Sequence, residues 1–238
     1  MAINQDSLES PSPVRGFEIA IMAKAPIAGF AKTRLIPLLG EEGAADLQNW
    51  LLQRTVTTAL AARTGPISLW CAPDCDHPAF AKWGDQDGVN RYRQPDGDLG
   101  VRMLAAAERG QGALGVVIVG TDCPTLGADD ILNACQAIRE GNDAAVIPAE
   151  DGGYVLIAVR QAYAELFTDI DWSTSRVMAQ TRQRALDAGV RLVEFLPKWD
   201  VDLAADFSRL LLTCPELRQQ LPYRNVDEAI FDRETLCR

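Results

Sequence analysis

One histidine, His77, serves the whole 238-residue chain. Catalysis through a histidine-centred triad needs that residue beside a nucleophile and an orienting carboxylate. His77 stands beside Pro78 in a loop-like stretch that reads as surface structure, and neither it nor any cysteine has the partners expected of a nucleophile, so hydrolase triads are set aside. The six cysteines do not make up for it. Cys71 and Cys75 lie close in sequence, Cys123, Cys135 and Cys214 stand alone, Cys237 is nearly terminal, and no zinc spacing emerges. The start of the chain does not read as a signal peptide, so we expect a cytoplasmic protein with free thiols rather than disulfides. No apolar run approaches the roughly 20 residues that span a bilayer, and no membrane partner is expected. A basic excess is missing too. Lys and Arg number 23 against 33 Asp and Glu, a formal charge of −10, whereas nucleic acids and anionic membranes call for a broad basic surface. Any anionic ligand must be met by a local cluster of cations.

What is present is a rhythm. Residues 1–15 are polar and rich in Pro and Ser, and read as a flexible leader; 16–238 reads as one domain. Short apolar runs at 17–23, 66–72, 90–94, 113–120, 143–148, 153–159 and 191–196 alternate with helical patterns at 41–63, 77–83, 99–109, 128–140, 173–188 and 203–213. Parallel neighbours need crossover helices, so this alternation predicts an α/β fold with a mainly parallel sheet covered on both faces. Only Ala149 to Gly152 joins the fifth and sixth runs, too short for a crossover. The sheet should therefore be mixed.

Ligands of open α/β sheets bind outside the carboxyl ends of the strands. Three strand-end loops stand out there. The first, 24-KAPIAGFAKTRL-35, superficially suggests a P-loop, but Pro26 and Ala31 occupy the two glycine positions, and Pro26 has no N–H to donate. It remains a loop carrying Lys24, Lys32 and Arg34, suited to an anion. In the second, 120-GTDCPTLGADD-130, Asp122 follows a fully apolar strand and must be paired, solvated or bound to a cation; Asp129 or Asp130 is better placed than Asp122 to cap the next helix. In the third, Asp200 and Asp202 flank Val201, so an extended segment would turn both carboxylates to one side. Oxygen ligands of this kind suit Mg2+ or Mn2+; Asp202 could also cap the helix at 203–213.

Three further blocks carry weaker signals. In QPDGDLGVRM, Asp98 reads as an N-cap while Gln94 and Arg102 can border a nucleotide. In EDGGYVLIAV, Gly152 and Gly153 permit close approach of an acceptor, and Asp151 is either a general base or a turn former. Trp172 opens the next helical segment and can stack on a sugar.

Taken together, KAPIAGFAKTRL, QPDGDLGVRM, VGTDCPTL, EDGGYVLIAV, DWSTSRVMAQT and DVDLAADF, in this order over about residues 17–213, resemble a family of small bacterial glycosyltransferase-like proteins, some associated with arsenosugar biosynthesis. The resemblance implies the GT-A (nucleotide-diphospho-sugar transferase) fold, a three-layer α/β/α arrangement. The sequence is also similar to 2-phospho-lactate guanylyltransferase and molybdenum-cofactor nucleotidyltransferases. It implies that Lys24, Lys32 and Arg34 face a nucleotide's phosphates and that Asp122 and Asp202 hold the metal. Many GT-A enzymes carry D-x-D after the fourth strand, but this chain reads T-D-C, which leaves Asp202, with Asp200, to complete the grip. The leading expectation is a metal-dependent glycosyltransferase acting on a nucleotide sugar and a small-molecule acceptor. Nucleotidyl transfer from an NTP with release of pyrophosphate is the alternative, and a non-catalytic nucleotide-binding regulator the third.

Overall fold

A computed structural model describes residues 16–84 and 88–217. The expected leader at 1–15 and the end of the expected domain after 217 lie outside the described residues, as does Cys237.

Seven strands form one sheet in the order β3-β2-β1-β4-β6-β5-β7. They are β1 (Phe17–Lys24), β2 (Ile67–Ala72), β3 (Val89–Arg93), β4 (Gly115–Gly120), β5 (Ala144–Pro148), β6 (Tyr154–Val159) and β7 (Leu192–Glu194). β6 runs antiparallel to both neighbours, β4 and β5, and every other pairing is parallel. The mixed sheet anticipated from the four-residue link is thus present, and it is the short hairpin from β5 that inserts β6 beside β4. The helices are α1 (Ile36–Ala62), α2 (Pro78–Ala81), α3 (Leu99–Arg109), α4 (Ala128–Arg139), α5 (Val177–Asp187) and α6 (Ala204–Thr213).

Alternation along the strands sorts the core into two layers. Ile19, Ile21 and Ala23 of β1 and Val117 and Val119 of β4 pack with Leu52, Val56 and Ala59 of α1 and Ile131, Cys135 and Ile138 of α4. The intervening Ala20, Val116 and Ile118 face Met103, Ala106 and Ala107 of α3 and Met178 and Ala185 of α5. This is the three-layer α/β/α arrangement. A third cluster docks α6 and the segment before it onto the start of α1, through Leu35, Leu39, Leu47, Leu51, Trp199, Val201, Phe207 and Leu210. Burying one such large side chain contributes roughly 1.5–3 kcal/mol. That cluster fixes where the Asp200–Asp202 segment lies.

Most boundaries shift by a residue or two from those read in the sequence, and three differences have structural consequences. α1 begins at Ile36 rather than 41 because its first turn sits ahead of a break at Gly40, whose φ is 72°. α5 begins at Val177 rather than 173, since Ser173 takes a left-handed φ of 63°. β7 is three residues long. Among the described residues no helix is long and apolar enough to cross a membrane, and Cys71, Cys75, Cys123, Cys135 and Cys214 are free thiols.

Candidate active site

From β1 the chain proceeds to β2 on one side, while β4 lies on the other, so strand order reverses between β1 and β4. A crevice outside the carboxyl ends of these two strands is where such sheets take ligands. The loop after β1 brings Lys32 there, the loop after β4 brings Asp122, and the segment after β7 brings Asp200 and Asp202.

Long-range ties hold the Asp122 loop still. From α1, Gln48 Nε2 donates to Thr121 Oγ1 at 3.0 Å, Arg54 Nε donates to the Pro124 carbonyl, and Thr58 Oγ1 donates to the Leu126 carbonyl. From the other side, Val201 N–H donates to the Asp122 carbonyl at 2.9 Å, and Lys198 Nζ donates to the Thr125 carbonyl and pairs with Asp130 at 3.0 Å. Asp130 also accepts from Gly127 N–H at the start of α4, the capping role expected of 129 or 130. The α6 start is capped by Asp206, which accepts from the N–H groups of both Asp202 and Leu203. Asp202 is therefore released from capping, and its carboxylate is available to the crevice.

What it meets there is Lys32. The Lys32 ammonium lies 2.6 Å from Asp122 Oδ1 and 3.3 Å from Asp202 Oδ1, and donates to the Val201 carbonyl at 2.7 Å. Its side chain is 5% exposed, against 44% for Asp122 and 40% for Asp202. Burial alone would favour the neutral amine, but Coulombic attraction to Asp122 and Asp202, with hydrogen bonds to both, outweighs it and leaves the ammonium's pKa raised. Asp200 shows the opposite balance. Burial, then the repelling fields of Asp122, Asp151 and Asp202, push its carboxyl up to about 8 against the pull of Lys32. One cation and several carboxylates thus share a single field, the kind of perturbation that gathers at functional sites.

The donor set fits a hard cation in its chemistry, two partly exposed carboxylates on a shared crevice, although no group of three or more His, Cys, Asp or Glu is arranged to hold a metal among the described residues. A cation such as Mg2+ needs only one or two protein carboxylates when substrate oxygens and water complete its shell.

The remaining expected residues divide. Lys24, the last residue of β1, and Arg34, in the short 3-10 turn after the loop, are both exposed. Gln94 is buried and turned inward: its Nε2 donates to the carbonyls of Ala23 and Trp70, tying β1 to β2, while its Oε1 accepts from Arg102 at 3.4 Å. Arg102 also donates to the Gly97 carbonyl. Asp98 caps α3 by accepting from Val101 N–H at 2.9 Å. Asp151 is exposed and accepts from Gly153 N–H at 3.0 Å, so it does form a turn, yet its charge reaches Asp200. Gly152, at φ 95°, lets the 149–153 turn press on Ser175, where a β-carbon would come 2.3 Å from the carbonyl oxygen. Trp172 packs edge-on to Tyr154 at 6.2 Å and against Gly100. His77 caps α2 through Nδ1.

Lys198 and Gln48 escaped the sequence reading, although both hold the site loops. A lysine between Pro197 and Trp199, just ahead of Asp200, was the available signal for the first; for Gln48 there was none. A surface hollow of about 380 Å3 lies against the edge strand at Cys75, Asn90, Arg91 and Tyr92 and contains none of these site residues.

Comparison with known proteins agrees with this architecture. A protein from Desulfovibrio desulfuricans G20, described as a candidate nucleotide-diphospho-sugar transferase, is 30% identical, with 83% of this chain and 87% of that one covered and a TM-score of 0.74. The 4-diphosphocytidyl-2C-methyl-D-erythritol synthase of Anaerococcus prevotii DSM 20548 shares the fold at 13% identity, covering 83% and 96%, with a TM-score of 0.56. So does a CMP:2-keto-3-deoxy-manno-octonic acid synthetase complexed with CTP, at 13% identity, 84% and 99% coverage and a TM-score of 0.54. The fold is thus that of the nucleotide-diphospho-sugar transferases. No curated protein matches the sequence. Residues 55–174 match a family profile that takes in Asp122 and Asp151 but stops short of Lys32 and Asp202. By that match the chain belongs to DUF2064, a family described as uncharacterized proteins conserved in bacteria.

Proposed function

We propose that the protein is a glycosyltransferase, moving a sugar from a nucleotide-diphospho-sugar to a small acceptor in the cytoplasm. The observation that carries this is the convergence of Asp122, Asp202 and Lys32 at the reversal of strand order. The description of the 30% identical Desulfovibrio protein points the same way. The finer resemblance, to arsenosugar-type enzymes, rests on the sequence blocks alone.

In this reading the acceptor oxygen bonds to the anomeric carbon as the bond from that carbon to the diphosphate breaks. The electron pair leaves with the nucleoside diphosphate, and the acceptor proton passes to Asp151. Lys24 and Arg34 meet the departing charge with donors already in place, which is how electrostatic stabilisation lowers such barriers. Mg2+ or Mn2+ held by Asp122 and Asp202 would add Lewis-acid neutralisation of the diphosphate. Gln94 and Arg102 act behind the site, fixing the ends of β1 and β2. Gly152 and Gly153 shape the acceptor side, with Trp172 packed beneath it.

Nucleotidyl transfer is the second reading. It is favoured by the single carboxylate of T-D-C, where many sugar transferases carry two, and by a loop whose three cations match a triphosphate. The neighbour complexed with CTP shows only that a protein of this fold holds such a ligand.

The products separate the two. Incubated with a panel of nucleotide sugars and Mg2+ or Mn2+, the protein should slowly release nucleoside diphosphate even without acceptor. Pyrophosphate release from an NTP with a phosphorylated acceptor, and no turnover of any nucleotide sugar, would replace the first reading with the second.

A further inference from the structure

We infer that the Lys32 ammonium and a divalent cation are alternative occupants of the Asp122–Asp202 pair, so that the cation enters only as the donor's phosphates draw Lys32 away. The inference rests on the assignment of these aspartates proposed above, and adds to it an order of binding.

A lysine ammonium has three donors, and here all three have partners: Asp122 Oδ1, Asp202 Oδ1 and the Val201 carbonyl. With 5% of the side chain exposed, no donor is left for a phosphate. The resting lysine therefore does not wait on the diphosphate, as its place in a basic loop suggests. It fills the position between two carboxylates that a cation bridging the same oxygens would need. Two positive charges cannot share that contact distance, since repulsion there is strong in a partly desolvated site.

The loop supplies the means of exchange. Lys32 holds a left-handed backbone, φ 46° and ψ 46°, a conformation uncommon for a residue with a β-carbon. Gly29, three residues earlier, is also at positive φ, 79°, and Phe30 at the loop's tip is 80% exposed. The inward lysine thus lies between exposed Phe30 and exposed Thr33 and Arg34, with Ala31 and Leu35 buried beside it, and its ammonium end is held by the ion pairs. A diphosphate arriving beside Lys24 and Arg34 offers Lys32 stronger, exposed acceptors. Its departure uncovers Asp122 and Asp202 together for the cation that the same diphosphate helps to coordinate. Before then, the one ammonium offsets half of the pair's charge without metal.

The test is Mn2+ binding without any nucleotide, followed by the electron paramagnetic resonance of the free ion. Lys32→Met should bind Mn2+ about tenfold more tightly than the unaltered protein, within the usual range of coupling between ligands. Adding Asp122→Asn to Lys32→Met should abolish the gain. Equal Mn2+ affinity in Lys32→Met and the unaltered protein would overturn the exclusion and leave the transferase reading standing. A gain in Lys32→Met, with no nucleotide sugar turned over, would do the reverse. Should Lys32→Met fail to fold, the unaltered protein labelled with 15N-lysine gives the second measurement. Its buried Lys32 ammonium signal should persist in Mg2+ alone and disappear when inorganic pyrophosphate joins the Mg2+. Mg2+ bound alone at Asp122 and Asp202 with that signal unmoved would equally overturn the inference.

Discussion

At the scale of single residues, several positions with the look of ligand contacts turn out to serve packing, and the glycines show it most clearly. Gly100 lies in α3 where a β-carbon would come 1.9 Å from the Phe167 carbonyl oxygen and 2.6 Å from Trp172 Nε1. The absence of a side chain lets the 167–172 segment close on the helix, and Trp172 is spent in that closure, its Nε1 buried with no acceptor among the described residues. Gly100→Ala should therefore destabilise the fold by about 1–3 kcal/mol, the usual cost of overpacking. Melting followed by circular dichroism would show it, as a fall of roughly 2–4 °C per kcal/mol for a chain of this size. An unchanged melting temperature would mean that α3 and Trp172 part freely, and would return the indole to the acceptor side.

Elements decide which of those residues reach the crevice. Gln94 follows β3 directly, yet its side chain crosses beneath β2 to the end of β1, donating to two carbonyls. Gln94→Leu should cost about 1–3 kcal/mol, because it strands buried acceptors. Urea unfolding should detect this, whereas intact stability with lost nucleotide affinity would make Gln94 a ligand contact instead. Most strands were legible in the sequence because they are short, apolar and bounded by turn residues, β3 with its VNRYR being the polar exception; VVIV in β4 reads as doubly covered on sight. The antiparallel β6 was legible from a link too short to cross over. The start of α5 was not. The pattern of 173–188 runs on without interruption, but Ser173 turns left-handed, Thr174 Oγ1 donates to the Asp171 carbonyl, and Gln180 folds back onto Asp171, its Oε1 accepting from the Asp171 N–H and its Nε2 donating to Asp171 Oδ2. Side-chain bonds of this kind compete with helical ones, and nothing in the hydrophobic period reveals them.

For the whole molecule, the informative fact is distance along the chain. Lys32 and Asp202 are 170 residues apart, so their contact exists only when the sheet is assembled and the cluster of Trp199, Val201 and Phe207 has seated on α1. The sequence showed each charged loop and its strand end, which was enough to place them on one crevice. It could not show that the lysine points inward, because burial of Lys32 depends on partners that no local pattern contains. The same dependence gives a global measure of the site. A ligand that binds only the assembled fold stabilises it by about 2.7 kcal/mol at a hundredfold excess over its dissociation constant. For a chain of this length that is roughly 5–10 °C in melting temperature. In the exchange inferred above, the diphosphate draws Lys32 off its carboxylates and the cation takes its place, so the full rise should require nucleoside diphosphate and Mg2+ together. Either component alone should give only a small part of it. Asp122→Asn and Asp202→Asn keep side-chain shape but each removes one of the two charges that hold the buried Lys32 ammonium, so each should melt below the unaltered protein without ligand and lose the joint rise. A full shift with Mg2+ omitted would place the diphosphate on Lys24 and Arg34 alone and take both aspartates out of its binding.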